Sequence, residues 1–109
     1  MTHEYTILTG GTILGHEPTD AEAPRPTAVA WAEDTVLAVG SDAEVRAISR
    51  GDSRFGDLHG AWVVPAAGAS LDPGAAADFD VLDADPASGS VPLVIAVVRA
   101  GRVVEGVLP

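Results

Sequence analysis

Histidines, clustered carboxylates, serines and glycine turns are the chemistry-bearing residues of this chain, and their spacing decides how far each can go. His3, His16 and His59 are the only histidines. None stands two or four residues from another, so no local zinc pair exists. His3 and His16 are expected at the surface; His59, beside Gly60, is expected to brace a turn through a backbone bond. Asp78, Asp80, Asp83 and Asp85 are close enough in sequence to suggest a hard-cation site. The run lacks the glycine turn and terminal Glu of a calcium loop, so a solvated strand face with turn caps is the expected role. Ser70 and Ser88 have no histidine near them in sequence to build a hydrolase triad. Gly10-Gly11-Thr12 lacks the lysine and the pattern of a phosphate loop, and Asp72-Pro73-Gly74 reads as a turn. No residue is assigned as catalytic, cofactor-binding or metal-binding, and no cofactor is expected.

The elements that must position these residues are short and mostly extended. Tyr5 to Thr9 alternates, Gly10-Gly11 interrupts, and Thr12-Ile13-Leu14 resumes, which predicts two short strands around a glycine turn or one strand with a bulge. Residues 15–26, rich in proline and acid, read as a loop. Ala28–Trp31 and Val36–Val39 flank Glu33-Asp34-Thr35 as a β-hairpin ended by Gly40. Ser41 or Asp42 is expected to cap a helix from Ala43 to Ser49, with Val45 and Ile48 on one face and Gly51 as its stop. Asp57–Gly60 followed by Ala61–Val64 is another turn-broken β-stretch. In Asp78–Asp83, Phe79 and Val81 share one face and Asp78 and Asp80 the other. Pro86 to Ser90 is a loop. Val91–Val98 and Val103-Val104 form strands joined through Arg99–Arg102, with Gly101 supplying a positive φ. The Val91–Val98 run is apolar enough to expect cover on both faces. Trp31 and Trp62 are expected as core anchors. The fold class is therefore mostly β, a small β-sandwich with one short helix.

Composition narrows the functions. With 109 residues the chain holds one core, and a β/α barrel of roughly 200–250 residues does not fit within it. The net charge is −10, with six arginines and no lysine. Nucleic acid and anionic membranes are repelled by such a chain, and Schiff-base lysine chemistry is removed. No apolar stretch reaches the ~18 residues of a membrane span. The first residues lack a basic region followed by an apolar core, so no secretory signal is expected. Cysteine is absent, which fits a cytoplasmic protein.

Six segments, in order, carry a resemblance. They are Leu8-Thr9-Gly10-Gly11-Thr12-Ile13, Leu37-Ala38-Val39-Gly40, Val63-Val64-Pro65, Ser70-Leu71-Asp72-Pro73-Gly74, Ala77-Asp78-Phe79-Asp80-Val81-Leu82-Asp83 and Gly101-Arg102-Val103-Val104. Together they resemble the composite β-sandwich domain of the amidohydrolase superfamily, in its imidazolonepropionase- and dihydroorotase-like branch. In that family a strand ending in Val-x-Pro-Gly leads into a metal-binding barrel that opens with His-x-His. The chain then returns through Gly-x-Leu-x-Pro-Gly. Here Ala66 stands in place of that first Gly, and the His-x-His stretch is missing.

The resemblance implies a single composite domain over 1–109, with an N-terminal segment 1–65, a junction at 66–67 replacing the barrel, and a C-terminal segment 68–109. The barrel is either lost from the gene or excised with its ends joined. Because no position carries the family's metal ligands, its hydrolysis of non-peptide C–N bonds does not transfer to this chain. The implied role is a non-catalytic structural or interaction domain. The alternatives are a subunit that completes an amidohydrolase in trans with a separate barrel protein, or a small metal- or ligand-binding module. Homo-oligomers through the former barrel-facing surface are expected, with Val91–Val98 as the main contributor.

Overall fold

The computed structural model describes residues 5–14, 26–48, 53–66, 70–86, 89 and 91–108. Among the described residues, nine strands and one helix follow in the order β1 (Tyr5–Thr9), β2 (Thr12–Ile13), β3 (Ala28–Ala32), β4 (Thr35–Gly40), α1 (Asp42–Arg46), β5 (Arg54–Asp57), β6 (Trp62–Pro65), β7 (Phe79–Leu82), β8 (Val94–Arg99) and β9 (Arg102–Gly106). They form a four-stranded sheet, β4-β3-β1-β5, and a five-stranded sheet, β2-β6-β7-β8-β9. The expected mostly β architecture with one short helix is what the chain adopts.

The inner faces of the two sheets meet over one core. Leu8, Val29, Trp31 and Val36 from the first sheet pack with Ile13, Val63, Phe79, Val81, Ala96 and Val98 from the second. Phe79 and Val81 are both fully buried, as their shared strand face requires. The Trp31 and Phe79 rings meet edge to face at 5.1 Å, a geometry favoured by the aromatic quadrupole. Ile7, Ala28 and Ala30 lie on the other face of the first sheet, under Val45 of α1 and half-buried Ile48. Ser41 caps α1: its hydroxyl accepts the Glu44 N–H, and Glu44 returns a bond to the Ser41 N–H. The helix ends at Arg46, three residues earlier than expected, and runs into a turn through Ala47 and Ile48; Ser49 and Gly51 lie outside the described residues.

The glycine pair of the first segment does more than turn the chain. β1 belongs to the first sheet and β2 to the second, and β5 and β6 make the same switch beside them, since β1 pairs parallel with β5 and β2 parallel with β6. Such sheet-switching strands form a sandwich corner. Hydrogen bonding continues through it: Leu58 N–H donates to Thr9 O at 2.7 Å, Gly60 N–H to Gly10 O at 2.8 Å and Thr12 N–H to Ala61 O at 3.0 Å. The two chains approach so closely that a Cβ on Gly11 would stand 2.5 Å from Ala61 O and from the Leu58 side chain.

The opposite end interlocks three turns. Glu33-Asp34 closes the β3–β4 hairpin and Ala100-Gly101 closes β8–β9. Ala100 and Gly101 both have positive φ, 51° and 77°, the pattern of a type I′ hairpin turn. Ala77 donates its N–H to Asp34 O, Gly101 donates to Ala77 O, and Trp31 Nε1–H donates to Gly101 O. Asp72-Pro73-Gly74 turns as expected: Ala75 N–H bonds Asp72 O, and Gly74 takes a positive φ. The segment then runs along the β4 edge, where Gly74 N–H donates to Val36 O and Val36 N–H donates to Ala75 O.

Two expectations are corrected. The strand expected over Val91–Val98 begins only at Val94, and it is not covered on both faces. Ala96 and Val98 are buried against the first sheet, whereas Val91, Leu93 and Val94 are exposed. The described helix packs on β1, β3 and β4 of the first sheet. Trp62 is half-buried rather than a core anchor, because Val63 beside it takes the inward position opposite Val81.

Candidate functional site

The clustered carboxylates of β7 and its flanks are engaged by the protein's own polar groups. Asp78, just before β7, accepts the Ala100 N–H at 2.6 Å and so holds the β8–β9 turn. Asp80 points to the outer face of β7 and pairs with Arg99 at 3.0 Å. The same Arg99 nitrogen donates to Phe79 O and Val98 O. Asp83, just past β7, accepts the Leu93 N–H at 2.7 Å while its own N–H bonds Leu93 O. Asp85 also has an interaction partner. The four acids are thus distributed along β7 and its flanks, each with its own partner, and no group of three potential metal ligands gathers among the described residues.

The other chemistry-bearing residues sit at the corner. His59 occupies a positive φ of 50° and donates its N–H to Asp57 Oδ1 at 2.8 Å. Its Nδ1 lies 3.8 Å from Asp57 Oδ2, with both side chains exposed. The side chain that braces the turn between β5 and β6 is thus Asp57, to which His59 contributes its main-chain N–H. The Gly10 N–H donates to Asp42 Oδ1 at 3.1 Å, and Thr27 donates its hydroxyl to the same oxygen at 2.8 Å. An acid of α1 occupies the amide that a phosphate loop would offer to its ligand. Ser70 is exposed; His3, His16 and Ser88 lie outside the described residues. Thr9 is the only buried polar residue among the described ones, and no buried side-chain polar atom there lacks a hydrogen-bond partner.

The last part of the chain presents large apolar side chains to solvent. Of the seven large hydrophobic side chains exposed among the described residues, six fall between Val91 and Val107: Val91, Leu93, Val94, Val103, Val104 and Val107, at 41–93% exposure. They line the approach to β8, the edge strand β9 and the segment that leaves it. All five residues of β9 are exposed. A cluster of this kind marks a contact surface more often than a catalytic cleft. The Val91–Val98 run pointed to part of it. The β9 share was not evident from sequence, because Val103-Val104 reads like any buried strand until its place at the sheet edge is known. No protein-family model, curated protein or solved structure matches this chain.

Proposed function

We propose that this chain is a non-catalytic structural and interaction domain, of the kind that accompanies metal-dependent amidohydrolase barrels acting on C–N bonds other than peptide bonds. The observation that carries this reading is the contrast between its two sets of side chains. Asp78, Asp80 and Asp83 are committed to holding turns and strand edges, while six large apolar side chains between Val91 and Val107 are left exposed in β8, β9 and the segments that flank them. The composite build also supports it: β2 and β6 come from the N-terminal segment, β7, β8 and β9 from the C-terminal one, and the two join at Ala66 within one sheet.

The test is a metal titration of dialysed protein followed by thermal melting. A metal site filled at about 100 times its dissociation constant stabilises the fold by about 2.7 kcal/mol. That corresponds to a rise in Tm of roughly 10 °C or more for a domain of this size. Zinc, manganese and calcium are each expected to leave the Tm unchanged, and the chain is expected to show no turnover of cyclic amides. A metal-dependent rise of that size makes the chain a metal-binding module. Hydrolysis gained on adding a separate barrel protein makes it a subunit completed in trans.

A further inference from the structure

The β9 strand has three properties that together specify an occupant. It ends the order β2-β6-β7-β8-β9, so its outer side offers backbone N–H and C=O groups to another strand. Its centre is the exposed pair Val103-Val104. Its ends carry opposite charges, Arg102 and Glu105, and neither side chain makes an ion pair or hydrogen bond among the described residues.

The register places those two charges together. Arg102 lies opposite Arg99, Val103 opposite Val98 and Glu105 opposite Val97, with a register shift between Val97 and Val98 that leaves Val104 as an extra residue. Residues three apart on a regular strand point to opposite faces. The extra residue cancels that, so Arg102 and Glu105 both lie on the outer face, with Val97 and Arg99, while Val103 lies on the inner face with buried Val98. We propose that β9 pairs with β9 of a second copy, antiparallel about a two-fold axis perpendicular to the sheet. This rests on the interaction-domain reading and assigns its partner.

The two-fold fits because it keeps the outer face outer and reverses the strand. Arg102 of each copy then stands beside Glu105 of the other, twice, and the Val103-Val104 pairs meet at the centre. A parallel alignment would set like charges together, and like charges directly opposite are destabilising. The net charge of −10 on each copy opposes association at long range. At physiological ionic strength the Debye length is about 8 Å, so that repulsion is screened while the contact pairs still act. The joint is short, and the dimer is weak and reversible.

Sedimentation velocity of the full chain at physiological salt, from low to high micromolar concentration, is expected to show a monomer–dimer equilibrium. Arg102→Glu and Glu105→Arg each set like charges at both contacts and should weaken the dimer by about tenfold or more. An equimolar mixture of these two variants brings acids opposite arginines at both ends, and association should return as a heterodimer. Circular dichroism melts of each variant confirm folding, and recovery in the mixture cannot arise from misfolded chains. A wild-type chain that stays monomeric overturns the proposal. So does a mixture of folded variants that fails to associate. Single variants that dimerise like wild type also overturn it, while leaving the interaction-domain reading in place with a different contact surface.

Discussion

Gly101 has less space than Gly10, Gly11 or Gly106. A Cβ added to it would fall 1.5 Å from Glu33 O, and its φ is +77°. It sits where the β8–β9 turn nests on the β3–β4 turn, bonded to Ala77 through its N–H and to Trp31 through its carbonyl. Gly101→Ala must push the two hairpin turns apart and lose both bonds, at an expected cost of about 3 kcal/mol or more. Ala100 makes the opposite case. Its φ is 51°, a region that costs an L-residue with a Cβ roughly 1–2 kcal/mol, and glycine removes that strain at some cost in unfolded-chain entropy. Ala100→Gly should therefore gain about 0.5–1 kcal/mol. Urea denaturation measures both. If Ala100→Gly is destabilising, the Ala100 methyl contributes contacts that outweigh its backbone strain.

At the scale of elements, α1 covers more than its five residues suggest. Val45 closes the Ile7, Ala28 and Ala30 cluster on the outer face of the first sheet, and Asp42 bonds the Gly10 amide at the corner. A helix this short has little intrinsic stability, so its capping box matters. Ser41→Ala removes the acceptor for the Glu44 N–H and should cost about 1 kcal/mol. For a domain of this size that lowers Tm by about 4–8 °C. Ser41→Asp keeps a capping oxygen and should retain most of the stability. Equal losses in the two variants would mean that the hydroxyl acts through some contact other than the cap.

The whole molecule depends on joining its two segments. The first sheet comes entirely from the N-terminal segment, and its inner face is covered by strands that include β7 and β8 of the C-terminal segment. Residues 1–65 and 68–109 expressed separately are therefore expected to stay unfolded, since each exposes the face meant for the other. Pro65 pairs with Phe79, and Ala66 donates its N–H to Asp78 O at 3.1 Å. An insertion between Ala66 and Ala67 lies just past these contacts. A flexible insert of about 20 residues there lengthens the connection to β7 at an entropic cost of about 1 kcal/mol, and cooperative thermal unfolding should survive. Loss of cooperativity would identify the connection as an integral packed turn and remove the main support for a barrel once seated there.

The legible part of this chain was the local part. Alternation in Phe79–Leu82, the helix cap at Ser41, the polar turn Glu33-Asp34, the Pro73-Gly74 turn and the hairpin at Gly101 each depend on the chemistry of a few adjacent residues, and each forms where those residues stand. The same neighbours carry no information about which sheet a strand joins. Gly10-Gly11 announces a break, but whether β2 continues its own sheet or crosses to the other depends on Leu58–Ala61, about fifty positions away, making the same crossing alongside. Trp62 and Val63 are equally apolar, and the pairing of Val63 with Val81 decides that the valine, not the tryptophan, enters the core. Likewise Val103-Val104 looks buried until β9 proves to be the last strand of its sheet. Side-chain period and turn conformation are properties of the local backbone; burial and edge position are set by distant strands competing for the same hydrogen bonds and the same apolar face.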